Sequence, residues 1–204
     1  MTISNTIRNT NALSGLFLVL FLLVHLGGMI PALVATENFE AYASYLHQSS
    51  WQAPFEIALL IAWISHAVLS ITKSMRNQQA GNTANLQSRR QSPLAALASR
   101  SKMIAGLTTL GFLALHLQQL RFPRPIDGHE REAMVHVLQH PLVLAVYIAG
   151  ALAVGLHLLH GAEAAHRTLG WLTPQNGATI RKGGIVLAAA LSGGYLFVSL
   201  ALAM

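Results

Sequence analysis

The chain contains no cysteine. That absence excludes disulfides, thiolate metal sites, iron–sulfur ligation and covalent haem attachment through a C-x-x-C-H motif. Any metal held here must therefore take His, carboxylate or Met. Charge is also scarce: Asp, Glu, Lys and Arg make up 10% of the 204 residues, where a water-soluble domain carries roughly 25%. Acid is the scarcer sign, with 7 acidic residues against 13 basic ones. A soluble globular domain is excluded on these counts.

What fills the chain instead is hydrocarbon, 53% of residues being hydrophobic with a mean hydropathy of +0.48. A helix crosses a bilayer with about 20 largely apolar residues. Five stretches qualify: Leu13 to Leu33, Pro54 to Ile71, Met103 to Leu120, Pro141 to His160, and Gly184 to Met204. The second is the shortest. The expected architecture is all-α, a single domain over residues 1–204 folded as a five-transmembrane-helix bundle. A cleavable signal peptide is the rival reading of the first stretch, but its apolar run is long for that and cleavage would discard His25.

The net charge of +6 would fit nucleic acid if it formed one patch, and it does not. Arg8 precedes the first span, and Lys73, Arg76, Arg89, Arg90, Arg100 and Lys102 fill the connection between the second and third, which holds no acid. Arg167, Arg181 and Lys182 follow the fourth. The connections of opposite side hold Glu37, Glu40, Asp127, Glu130 and Glu132, with only Arg121, Arg124 and Arg131. The positive-inside rule places the N-terminus in the cytoplasm and the C-terminus outside.

Between the first two spans, "ENFEAYASYLHQSSWQAP" has Phe39, Tyr42, Tyr45 and Leu46 at helical spacing and ends near Trp51. It predicts a short interfacial helix with aromatic anchors. Asn77 to Ser92 is polar and Gln/Asn-rich, a cytoplasmic loop that a partner could order. Glu130 to Leu138 predicts a brief amphipathic helix, Pro141 suits the first turn of the fourth span, and Gly170 and Pro174 punctuate its end. "GLFLVLFLLVH" (Gly15 to His25) and "GLTTLGFLALH" (Gly106 to His116) echo one another. They suggest a parallel repeat of spans one and two in spans three and four.

Each of the first four spans carries one histidine in an apolar setting: His25, His66, His116 and His157. At about 1.5 Å per residue, His25 and His116 fall in the outer half of outward-running helices. His66 and His157 fall in the inner half of inward-running ones. Polar groups at membrane depth are expensive and face the bundle interior with a partner, and neutral imidazole is a strong axial ligand for haem iron. Two pairs at two levels predict two bis-histidine haems, necessarily b-type without an attachment motif. Gly15, Gly27, Gly28, Gly106, Gly111, Gly150, Gly155 and Gly161 lie in or beside these spans. They leave room for a macrocycle or for close helix packing. His160, three residues after His157 and on a neighbouring face, is an alternative ligand, or a propionate or quinone contact. His47, His129, His136, His140 and His166 lie in or near connections, where solvation is the default.

Through "FLLVHLGG", "ENFEAY", "PFEIALLIAWISHAV", "GFLALHLQQLRF" and "LHLLHGAEAAHRTLGWLTP", nearly the whole chain resembles the five-helix, two-haem cytochrome b anchor of succinate:quinone oxidoreductases, the family that includes fumarate reductase anchors. The resemblance implies that His66 and His157 ligate a proximal haem near the cytoplasm and His25 and His116 a distal one. It implies partner subunits carrying FAD and iron–sulfur clusters, a quinone, menaquinone favoured, near the distal haem, and a place in a bacterial cytoplasmic membrane. This chain itself holds no dicarboxylate-oxidising site; it would serve succinate dehydrogenase or fumarate reductase as a subunit. Family members often carry Arg-x-Thr-Gly before the third ligand, where Met103, Ile104, Ala105 and Gly106 stand here with Arg100 and Lys102 displaced. Arg8, Arg100, Lys102, Trp51 and His160 are therefore candidate cofactor contacts, and Glu56 is a candidate for quinone protonation or a merely solvated acid.

Other membrane cytochromes b place two ligands on each of two helices, and no span here has two histidines at such spacing. A transporter whose histidines relay protons, and an anchor with satisfied core histidines, are the readings without haem.

Overall fold

The computed structural model describes residues 5–81, 92–123 and 128–204. Among these there is no strand, and the elements run α1 (Asn5–Met29), α2 (Pro31–Val34), α3 (Thr36–Gln48), α4 (Gln52–Gln79), α5 (Pro93–His116) continued by a π-helical turn (Leu117–Arg121), α6 (Glu130–Leu138), α7 (Pro141–Thr168) and α8 (Gly177–Ala203). Five helical stretches are long and apolar enough to cross a membrane: Asn5–Val34, Gln52–Gln79, Pro93–Arg121, Pro141–Thr168 and Gly177–Ala203. The five expected spans are all present, each longer than its apolar run.

The second span is not the shortest. It is 28 residues long, because Thr72, Lys73, Ser74, Met75 and Arg76 continue the helix beyond the hydrocarbon-like stretch. Helix propensity does not stop where hydropathy does. The same extension makes Asn77, Gln78 and Gln79 helical rather than loop, with Gly81 (φ 74°) closing the turn. The remainder of the expected loop, with Arg89 and Arg90, lies outside the described residues, as do Arg124 and Asp127. On its far side Ser92 caps α5, its hydroxyl accepting the Ala95 N–H at 3.4 Å, and Pro93 occupies the first turn.

The two short amphipathic helices form as the sequence indicates. In α3, Phe39 and Ala43 are buried while Tyr42 and Tyr45 remain exposed. In α6, Glu130, Met134 and Leu138 are buried, at the i, i+4, i+8 spacing of one helix face. Pro141 starts α7. Gly170 takes φ 76°, and Asn176 ties the α7–α8 turn through the Thr173 N–H and the Trp171 carbonyl.

Helix α7 is the centre of the bundle, packing on α5, α8 and α1, with Tyr147, Ala151, Ala153, Val154 and Leu158 buried. Gly155 lets Ser192 of α8 approach, since a Cβ there would stand 2.8 Å from the serine Cβ. One apolar core joins α2, α3, α6, α7 and α8 around Phe39, Met134, Leu138 and Tyr147. A second joins α7 and α8 around Val154, Leu158 and Leu191. Helix α4 packs on α1 and buries no residue fully. Its Ile57, Leu60, Ile61, Ile64 and Val68 are exposed apolar side chains, the expected dress of a lipid-facing helix. Among the described residues no extended backbone packing joins α4 to α5 or α7, or α1 to α5. The two hairpin-like pairs α1/α4 and α5/α7 stand apart except where α1 meets α7.

Candidate cofactor site

Across that gap four histidine rings meet, two by two. At the end of the bundle that carries the basic residues, the rings of His66 (α4) and His157 (α7) lie 6.0 Å apart at 83°. At the opposite end, those of His25 (α1) and His116 (α5) lie 6.0 Å apart at 74°. These are the pairs that depth alone indicates. An ion bonded to one nitrogen of each of two imidazoles at about 2 Å sets ring centres about 6 Å apart. The spacing in both tiers therefore admits a metal between the rings.

The local sequence fixes these rings in different ways. His66 Nδ1 lies 3.1 Å from the Asn11 carbonyl oxygen; since a carbonyl only accepts, Nδ1 carries the proton and the Nε2 lone pair is left for a ligand. Asn11 is held in turn, its side-chain oxygen accepting from Ser70 at 3.1 Å, while Ser14 stands 3.5 Å from the same imidazole nitrogen. His157 Nδ1 is buried, with the Lys102 backbone facing the ring. His116 Nδ1 stands 3.4 Å from the Tyr147 hydroxyl. His25 stacks on Phe21 at 5.2 Å and 13°, with Tyr195 on another side, whose hydroxyl donates to the Leu22 carbonyl at 2.7 Å.

Two of the glycines belong to this site. A Cβ on Gly15 would stand 2.9 Å from His66 Cε1, and one on Gly106 would stand 3.4 Å from His157 Cε1. The paired Gly-Leu motifs thus mark where the histidine of the following span packs, in both halves of the chain. Gly28 faces Tyr42, Gly150 faces Phe112 and Gly155 faces Ser192, which is ordinary packing. Gly27, Gly111 and Gly161 have nothing within 4 Å of such a Cβ.

Compared with protein-family models, with curated proteins and with solved structures, the chain matches none.

Among the described residues no group of three or more His, Asp or Glu side chains is placed to hold a metal ion. Two-imidazole sites suit a metal that brings its other ligands with it, as a porphyrin does. The spacing and the glycine cradles fit such a group.

The remaining candidates divide. His160 meets no histidine ring of another helix among the described residues, and it feels the charges of Lys102, Lys73 and Arg167. It sits beside the basic-end tier and does not replace His157 in it. Lys102 presents its backbone to His157, and Lys73 lies within reach of Arg8 and Lys102. Arg100 is exposed. Trp51 is exposed at the start of α4 and packs edge-on against Phe55 at 6.0 Å. Glu56 is not simply solvated: Arg121, from the π-helical turn after His116, donates to both of its carboxylate oxygens at 2.9 and 2.5 Å, and Gln52 adds a third bond at 3.0 Å.

Sequence reasoning passed over Arg121, Asn11 and Tyr147. Their partners lie 65, 55 and 31 positions away, and nothing local announces them. It also placed His47 and His166 in solvent. His47 Nδ1 lies 3.3 Å from buried Glu130, and His166 lies inside α7, bonded to the Ala162 carbonyl at 2.8 Å and packed on Trp171.

Proposed function

We propose that this chain is the membrane anchor and electron-transfer subunit of a succinate:quinone oxidoreductase, holding two b-type haems, one between His66 and His157 and the other between His25 and His116. The observation that carries the reading is the meeting of one histidine from each of four spans, in two pairs, at two depths. Bound haem iron supplies reversible one-electron transfer. The chain supplies position. Asn11 fixes the His66 tautomer, the Tyr147 hydroxyl oxygen accepts a hydrogen bond from the His116 Nδ1–H, and Gly15 and Gly106 keep the faces of the basic-end rings clear. Two tiers divide a hydrocarbon core about 30 Å thick into two shorter steps.

The basic end, with Arg8, Lys73, Arg100, Lys102 and His160, faces the cytoplasm in this reading. There it neutralises propionates and receives the iron–sulfur and flavoprotein partners. Glu56, clamped to the segment that follows His116, takes or gives a proton to a quinone, menaquinone favoured, at the other end. Because one charge moved across the membrane is worth about 2.3 kcal/mol per 100 mV, the side of that proton exchange decides whether turnover draws on the gradient.

Reduced-minus-oxidised spectra with haem quantitation, on the protein purified with its native partners, test the reading. Two bis-histidine b haems per chain are expected, and a haem-free protein overturns it. In single variants, His25→Ala and His116→Ala should remove one haem, and His66→Ala and His157→Ala the other. Crossed losses would refute the pairing.

A further inference from the structure

A second site lies on the outer side of α1, α2 and α8 near the acidic end, behind the His25/Tyr195 ring contact rather than between the histidine pairs. A groove of about 470 Å³ runs between Leu26, Ile30 and Val34 on one wall and Phe197, Val198 and Ala201 on the other. Its walls are apolar and open: Ile30, Val34 and Phe197 are 53%, 80% and 66% exposed. Gly194 forms the floor, where a Cβ would meet Leu26 at 2.5 Å, so the groove exists because α1 and α8 touch beneath it.

One charged side chain lines this groove, that of Arg131. Its Nε–H donates to the Ala32 carbonyl at 2.8 Å, and its backbone N–H is taken by Glu40 at 3.0 Å. Among the described residues no carboxylate pairs with the guanidinium, whose terminal N–H groups remain available. Glu40 is spent on the backbone N–H groups of Glu130 and Arg131. The placement is costly for a cation, since Arg131 lies in the first turn of α6, at the positive end of that helix. An anion on the guanidinium would offset that cost.

We infer that this groove binds an anionic phospholipid, one acyl chain lying between α1/α2 and α8 and the phosphate on Arg131. An acyl chain matches the apolar walls, and a fork of N–H donors matches phosphate oxygens. Interfacial attraction between one arginine and an anionic lipid corresponds to roughly fivefold in affinity.

The test is native mass spectrometry of the full chain exchanged into micelles containing equal phosphatidylglycerol and phosphatidylcholine. One retained phosphatidylglycerol is expected, at roughly fivefold preference. Arg131→Gln should abolish the preference while lipid without headgroup selection still binds. Ala201→Phe, which fills the groove, should abolish retention with Arg131 intact, and circular dichroism checks that both variants fold. Equal retention of the two lipids, or a preference that survives Arg131→Gln, overturns the inference. Retention of an added isoprenoid quinone in place of phospholipid, indifferent to Arg131→Gln, overturns it in favour of a neutral tail site.

Discussion

At Gly15 one missing methyl group separates two outcomes. A Cβ there would press on His66 Cε1 from 2.9 Å, and His66 cannot retreat freely because its Nδ1 is tied to Asn11. Gly15→Ala should therefore displace the ring and, if the two tiers hold the proposed haems, lower occupancy of the basic-end site while leaving the His25/His116 site loaded. Gly27→Ala, with nothing within 4 Å, serves as the control and should leave both. Spectral quantitation of the proposed haems reads the difference, and equal loss from both sites in Gly15→Ala would indicate general misfolding instead. At the other tier, Tyr147→Phe removes the hydroxyl 3.4 Å from His116 Nδ1. Loss of such an outer hydrogen bond costs about 10- to 100-fold in metal-site affinity. Haem titration of the stripped variant should show that weakening confined to the His25/His116 site. The four histidines were legible because a single imidazole in an apolar run has few bland explanations. Asn11 was not, because it acts through its backbone carbonyl, which every residue has.

Short elements carry the acid chemistry of the opposite end. Glu40 of α3 caps α6 from outside, accepting the N–H groups of Glu130 and Arg131 at 3.1 and 3.0 Å, in place of the local side chain that usually does so. Burial raises the Glu130 carboxyl above the usual range, and the Glu40 charge beside it adds to this. Burial also opposes the Glu40 charge, but the hydrogen bonds from Glu130 and from the two backbone N–H groups prevail and hold it below its usual value. His47, His129 and Glu132 are the other titrating groups around this pair. The signs follow by linkage. Glu40 stabilises the docked α6 at pH above its ordinary value, and that stability is lost as pH falls through its lowered one. Glu130 favours docking while protonated, and its contribution is lost as pH rises through its raised value. Protection of the α6 amides, taken as exchange relative to the intrinsic rate at each pH, should thus be greatest between the two. Glu130→Gln should remove the loss on the alkaline side, and Glu40→Gln should speed exchange at neutral pH; a flat pH profile in the native chain would show that the pair does not control docking. The π-helical turn at Leu117–Arg121 turns Arg121 onto Glu56. Both side chains are about a third exposed, so Glu56→Gln should change folding stability by less than ~1 kcal/mol, while under the proposed quinone role turnover with quinone should fall severalfold. A fall in melting temperature with turnover intact would make the pair structural. The spans were readable from the length of their apolar runs and the short helices from apolar spacing, but this turn was not, since a π-turn has no hydropathy signature.

The first four spans form a repeat whose two halves are read together. Gly15 and Gly106, His25 and His116, and His66 and His157 are each offset by 91 positions. In each half the glycine of the first helix faces the histidine of the second, α1 with α4 and α5 with α7. Each histidine pair therefore joins equivalent residues of the two halves across the gap between them, which is why a pairing deduced from depth reappears as ring contacts. The sequence echo was short because only the positions that touch the site repeat; the lipid-facing positions between them need only be apolar. Which end faces the cytoplasm rests on the distribution of Lys and Arg, and it sets the direction in which the two tiers would be crossed. The absence of cysteine makes this measurable with one introduced thiol at a time. Gln79 and Gln175 are exposed at the basic end, Ser50 and Gln139 at the other. In right-side-out vesicles a membrane-impermeant maleimide should label Ser50→Cys and Gln139→Cys and spare Gln79→Cys and Gln175→Cys, with the pattern inverted in inside-out vesicles. Labelling of all four from one side would break the five-crossing architecture. The opposite pattern would keep the bundle and reverse it, placing the His66/His157 tier away from any cytoplasmic electron donor.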